Sequence, residues 1–186
     1  MTKAVDLVVI GAGIVGLALA DAWLARNPAD RVLIVDKEDK VGEHASGRNS
    51  GVLHAGFYYA PDTLKAQLTR RGNQQLREFC YDRGVPILES GKVVVAQSPE
   101  EVPRITELYE RGVANGCTLE VIDEAQLAEI EPLARTYGKA LWSPLTAVSS
   151  PIGVTKALAD RVIERGGELR LSTTVSHAEP GWVVLN

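Results

Sequence analysis

A chain of 186 residues with 45% apolar and 24% charged side chains has a globular composition and enough length for one full core, or for one core and part of another. Its formal net charge of −4 leaves no basic footprint for nucleic acid. Asp21 and Arg26 break the longest apolar runs well short of a membrane span, and no signal-peptide pattern follows Met1, which points to a cytoplasmic protein with at most peripheral contact at the inner membrane.

Residues 5–10 are a β-rich run, predicted as a buried strand. Gly11-Ala12-Gly13-Ile14-Val15-Gly16 follows. Val15, Ala18, Leu19 and Ala22 then recur at i, i+3, i+4 and i+7, predicting an amphipathic helix that packs by that stripe and ends near Asn27-Pro28. Residues 31–36 read as a second buried strand, completing a β-α-β unit of the kind that builds parallel sheets. The stretch 46–61, "SGRNSGVLHAGFYYAP", has neither a helical period nor enough apolar residues for a buried strand, and reads as a loop. Pro61 and Asp62 open a long helix with Leu64, Leu68, Leu76 and Phe79 on one face and Gly84 as its stop. Residues 92–97 read as a strand. Ser98 to Glu101 form a capping box with proline at the first helical position, for a helix reaching Asn115.

Residues 118–122 are a further predicted strand. Asp123 and Gln126 form a second capping box, for a short helix ending before Pro132. Residues 138–149 read as one or two strands. Ser150-Pro151 opens a helix with Val154, Leu158 and Val162 inward, and strands follow at 168–171, 174–178 and 181–185. The next helix and strand able to extend the parallel sheet thus come more than a hundred residues after Asp36. This predicts an α/β, Rossmann-type nucleotide domain in two parts, 1–85 and 150–186, with an α+β domain inserted at 86–149. Cys80 and Cys117 form no C-x-x-C motif and read as reduced thiols, and His44, His54 and His177 lack zinc spacing, so no metal is expected.

G-x-G-x-x-G alone is a weak signal. Here it follows a strand, opens a helix, and is succeeded 20 residues after Gly16 by Asp36 at the end of the next strand, which is the full dinucleotide fingerprint. Gly11 permits the tight turn, Gly13 leaves room for a pyrophosphate, and Gly16 lets helix and strand pack closely. The helix N-terminus offers amides and a positive dipole end to the anion. Asp36 is expected to accept ribose hydroxyls, and its charge disfavours a 2′-phosphate. Gly11, Gly13, Ile14, Val15, Gly16, Asp36 and Lys37 are the candidate cofactor positions. The departure into an extra domain after Asp36 suits a flavin, whose ring needs a covering layer, better than a simple NAD domain.

"DLVVIGAGIVGLALA", "VLIVDKEDKVGEHASGRNSGVLHAGFYY", "LKAQ", "GKVVVA" and "GVTKALA" together resemble the FAD-dependent oxidoreductases of the D-amino-acid oxidase type, and among them the L-2-hydroxyglutarate oxidases and dehydrogenases. The resemblance implies FAD as cofactor. It also implies oxidation of L-2-hydroxyglutarate to 2-oxoglutarate, with hydride passing to flavin N5 and electrons then to oxygen or a quinone. It places Ser46, Arg48, Asn49, Ser50 and Gly51 along the cofactor, Gly56 at a close backbone approach, His54 on the substrate side of the flavin as catalytic residue, and the backbone of Val175 at the adenine. Arg48, Tyr58, Tyr59 and Lys65 are candidate substrate contacts, with structural packing the alternative reading for His54 and both tyrosines. Family members run much further, so both domains are expected to be incomplete and the chain a fragment. Another amino-acid or glycerol-3-phosphate oxidoreductase of the same fold, an NAD-dependent dehydrogenase, and an inactive dinucleotide-binding fragment are the competing readings.

Overall fold

A computed structural model describes residues 4–186. In chain order the elements are β1 (Leu7–Ile10), α1 (Ile14–Arg26), β2 (Val32–Val35), β3 (Val52–Leu53), α2 (Leu64–Asp82), β4 (Ile87–Leu88), β5 (Lys92–Val95) and α3 (Val102–Ala114). They continue as β6 (Glu120–Ile122), α4 (Glu124–Ile130), β7 (Ala140–Ser143), β8 (Ala147–Ser149), α5 (Pro151–Glu164), β9 (Glu168–Arg170), β10 (Val175–Glu179) and β11 (Trp182–Leu185). They group into two compact units, Met1–Ser50 with Ser150–Asn186, and Gly51–Ser149. The boundary falls at 50/51. Residues 51–85, which the sequence groups with the nucleotide domain, cluster instead with 86–149, because β3 and β4 both pair with β8.

The first unit is built on a parallel sheet of order β1-β2-β9. All four side chains of β2 are buried, as expected for a central parallel strand covered on both faces. Helices α1 and α5 pack together, and their contact is fixed by charge. Asp21 accepts both ends of the Arg161 guanidinium at 2.8 and 2.6 Å and Arg165 Nε at 2.9 Å. Asp21 is only 8% exposed, and these donors replace the water its carboxylate loses. Val154, Leu158 and Val162 of α5 are buried as predicted. Strands β10 and β11 form a separate antiparallel hairpin.

Helix α1 is turned from its predicted orientation. Leu17, Ala20, Asp21 and Leu24 are buried, whereas Ala18 and Ala22 are exposed, Val15 is 79% exposed and Leu19 52%. Gly16 sets the rotation. A Cβ there would lie 2.1 Å from the Gly11 carbonyl oxygen and 3.1 Å from Val9 Cγ1, so Gly16 must face β1. At about 100° per residue, the Val15-Leu19-Ala22 stripe then lies almost opposite the packed face.

In the second unit two antiparallel sheets form, β3-β8-β4 and β5-β7-β6. Phe57, Ile105, Leu108, Leu119 and Leu141 lead one core cluster. Strand β3 lies inside the stretch predicted as a loop, and Leu53 is buried. Helix α2 starts at Leu64 because Asp62 adopts a left-handed φ of 63° and Thr63 caps the helix by accepting from the Ala66 amide. Phe79 is buried as predicted, but Leu64 and Leu68 are 68% and 54% exposed, and Ala66 and Cys80 take the inward positions. The Asp123–Gln126 capping box forms in both directions. The predicted box at Ser98 does not. The Ser98 hydroxyl donates to the Glu100 carboxylate, Glu101 reaches back to the Gln97 amide instead, and Pro99–Glu101 is a 3₁₀ turn.

The rotation of α1 is checked by two truncations. Leu17→Ala should destabilise by about 2–5 kcal/mol in urea unfolding, as a fully buried leucine does. Leu19→Ala should stay within about 0.5 kcal/mol, as exposed positions do. The reverse ranking would place the Val15-Leu19 stripe inward.

Candidate functional site

In the first unit the glycine turn joins β1 to α1. Gly11 has φ +110°, a conformation that favours glycine, and its amide donates to the Val35 carbonyl at 2.8 Å. A Cβ on Gly13 would come within 3.0 Å of Ser46 Oγ. That oxygen accepts the Ile14 amide at 3.0 Å, so Ser46 satisfies one of the amides that the sequence assigns to the anion. The amides of Gly13, Val15 and Gly16 have no partner among the hydrogen bonds of the described residues. No acidic side chain sits in the first turn of α1 to repel a phosphate.

Asp36 continues β2. Its Oδ2 accepts the Ala12 amide at 2.7 Å and its Oδ1 the Glu38 amide at 3.0 Å. Each carboxylate oxygen keeps a second lone pair, so two ribose hydroxyls can still be accepted. The turn and its acid therefore fit an adenine dinucleotide. The surrounding loop is built by its own polar side chains. Arg48 pairs with Glu43 at 2.6 Å, and Asn49 Nδ2 donates to the Ala45 and Ser46 carbonyls. Lys37 and His44 both meet Glu38, at 3.6 and 2.8 Å. Ser50 is exposed. Val175 opens β10 opposite Leu185. The adjoining pair, Thr174 and Asn186, exchange both backbone bonds, so by antiparallel alternation the Val175 amide and carbonyl point away from β11.

In the second unit, residues 53–59 are clamped by side chains that the sequence reading missed. Asn73 Nδ2 donates to the Leu53, His54 and Leu145 carbonyls, and Arg77 Nε fixes the Asn73 amide by donating to its oxygen. Asn115 donates to the Gly56 and Tyr59 carbonyls, and Arg111 to that of Tyr58. Gly56, at φ +101°, gives the bend, and Gly51 accepts the Ser149 amide. On this fixed backbone the His54 ring is exposed and has no hydrogen-bond partner among the described residues. Loss of solvent and, second, the Lys92 ammonium push its pKa below the ordinary imidazole value, which favours the neutral ring. Tyr58 stacks on Phe57 with centroids 4.2 Å apart, and Lys92 Nζ lies 4.6 Å from the Tyr58 ring. Lys65 Nζ lies 4.4 Å from the ring of Tyr59. The structure thus gathers His54, Tyr58 and Lys92, and separately Tyr59 and Lys65. No group of three or more metal-ligating side chains occurs among the described residues.

Asp36→Ala leaves the Ala12 and Glu38 amides without their acceptor and should lower stability by about 1–3 kcal/mol, read from urea unfolding without any ligand. An unchanged midpoint would remove the carboxylate from the turn. The His54 ring, followed by NMR against pH, should deprotonate with a midpoint below the ordinary imidazole value, and Lys92→Met should raise that midpoint. Removing a nearby positive charge makes protonation easier, and burial keeps the residual depression. A midpoint unmoved in Lys92→Met would show that desolvation alone acts on the ring.

The sequence matches the family described as FAD dependent oxidoreductase over residues 6–186. It is 44% identical to the mitochondrial L-2-hydroxyglutarate dehydrogenase of Caenorhabditis elegans over 90% of this chain and 39% of that protein. It is 37% identical to the L-2-hydroxyglutarate dehydrogenase of Escherichia coli over 92% of this chain and 40% of that protein. The chain thus spans about two fifths of the length of these relatives. Among solved structures, L-alpha-glycerophosphate oxidase from Mycoplasma pneumoniae, with FAD bound, superposes with a TM-score of 0.86 at 21% identity, over 99% of this chain and 50% of that one. Glycine oxidase from Geobacillus kaustophilus gives 0.84 at 23%, over 99% and 51%. These likenesses confirm the α/β fold with its parallel sheet, and the chain belongs to the FAD-dependent oxidoreductase family.

Proposed function

We propose that this chain is the part of an FAD-dependent L-2-hydroxyglutarate dehydrogenase that holds the dinucleotide and supplies the proton acceptor. The observation that carries the reading is His54, an exposed imidazole without a hydrogen-bond partner among the described residues, on a backbone clamped by Asn73. The names of the curated relatives support the substrate. FAD, when bound, supplies the hydride acceptor, N5 of its ring. Gly13, Val15 and Gly16 offer amides to its pyrophosphate, Ile14 and Ser46 hold the turn, Asp36 accepts its ribose hydroxyls, and the Val175 backbone meets its adenine. Lys37, Arg48, Asn49, Ser50 and Gly51 shape the loop beside it. An imidazole nitrogen of His54 would take the hydroxyl proton as the substrate carbon is oxidised to the 2-oxo acid, the bound cofactor supplying the two-electron acceptor. Tyr58, Tyr59 and Lys65 line the substrate side, and oxygen or a quinone takes the electrons. No helix among the described residues is long and apolar enough to cross a membrane.

In the enzyme that contains this chain, His54→Gln should slow flavin reduction by L-2-hydroxyglutarate about 10²–10⁴-fold in stopped flow while FAD stays bound. Wild-type rates would assign the proton to another group. Faster reduction by L-glycerol 3-phosphate, glycine or lactate would replace the substrate. Asp36→Ala should weaken FAD binding at least about tenfold, since a charged acceptor of two hydroxyls is lost. Unchanged affinity in a fluorescence titration would take Asp36 out of the cofactor site.

A further inference from the structure

Lys92 opens β5 opposite Ser143 of β7, and its side chain is half-buried. Backbone bonds bring this end of β5 to the His54 segment. The Gly91 amide donates to the Thr146 carbonyl at 2.9 Å, and the Asn73 side chain ties the neighbouring Leu145 carbonyl to those of Leu53 and His54. The Lys92 ammonium rests on the Tyr58 ring, 4.6 Å from its centroid. Two arginines of this unit that are likewise partly buried do have carboxylate partners: Arg77 pairs with Glu89, and Arg111 with Glu107. Lys92 pairs with no carboxylate among the described residues. A cation partly removed from water with only a ring face as compensation is poised for an anion. Lys65 differs, being exposed beside Tyr59.

We propose that Lys92 binds a carboxylate of the 2-hydroxy acid and so holds the hydroxyl-bearing carbon at His54, with the Tyr58 ring as the floor of the site. This rests on the reading above, in which His54 accepts the hydroxyl proton. One ammonium then serves two purposes. Without substrate it adds to desolvation in favouring the neutral imidazole, the form able to accept a proton. With a carboxylate on Lys92 that repulsion is offset, and His54 becomes a stronger base when the hydroxyl is present.

The test is an NMR titration of the full labelled chain with L-2-hydroxyglutarate, with glutarate, which lacks the hydroxyl, and with inorganic phosphate. Both dicarboxylates should shift the Lys92 ε-methylene and the Tyr58 and His54 ring signals saturably, and phosphate should do so more weakly. Lys92→Met should weaken dicarboxylate binding at least about tenfold, the loss expected when a charged hydrogen bond goes, and Lys92→Arg should restore it to within about threefold. Circular dichroism of the variants separates this from loss of fold, and a Lys92→Met variant that has unfolded is replaced by Lys92→Gln. Unchanged binding in the folded neutral variant, shifts confined to other residues, or equal response to phosphate would overturn the proposal. Flavin binding, measured separately by fluorescence, distinguishes the two failures. A chain that binds FAD but shows no Lys92-dependent dicarboxylate binding loses only the anchor, whereas one that binds no FAD loses the flavoenzyme reading.

Discussion

The carboxylate of Asp36 is the point on which the first unit turns. One oxygen accepts the Ala12 amide and so ties the end of β2 to the glycine turn, and the other accepts the Glu38 amide and bends the chain away from the sheet. The backbone of the same residue donates to the Arg170 carbonyl and accepts from the Thr173 amide, which joins β9 to the same place. Ser46 and Gly42 complete the arrangement from the following loop, through the Ile14 amide and the Ala12 carbonyl. A single acidic side chain thereby organises a ring of backbone donors. The amides that remain at the head of α1 keep their direction because their neighbours are held.

The second unit solves a different problem. The segment 53–59 is almost without regular structure, so its carbonyls have few ladder partners, and buried carbonyls must find donors. Asn73 of α2, Arg111 of α3 and Asn115 at the C-cap of α3 supply them. The result is an irregular segment held in place by side chains from outside itself, as the role proposed for His54 requires.

Much of this was legible in the sequence. The β-α-β unit, the turn at Gly11–Gly16 and its acid are local patterns, and the Asp123–Gln126 box and the inward face of α5 are set by spacing within one element. The face of α1 was not, because small and apolar residues lie on both sides of it and periodicity cannot choose between them. The contact that chooses is Gly16 against β1, a clue present in the motif but usable only once helix rotation is considered. β3 and β4 were too short to register, since two residues make no alternation and their pairing with β8 is long-range. Lys92 left no signal at all. A lysine at the head of a strand looks like a solvent-facing residue until Tyr58, far away in the chain, is brought beneath it.

The order of these elements along the chain has a consequence for how the protein is made. The unit Gly51–Ser149 is continuous, whereas the parallel sheet of its neighbour joins β2 to a strand that begins at Glu168. During synthesis at about 5–20 residues per second, β1, α1 and β2 therefore wait several seconds on the ribosome for β9 and α5. Throughout that interval one edge of β2 lacks its neighbour, and Asp21 lacks both arginines. The continuous unit can collapse first, and the parallel sheet of the other is completed only when the later segment emerges. Its folding is limited by loop closure over a whole intervening unit, and chaperone protection of the exposed β2 edge matters most in that window.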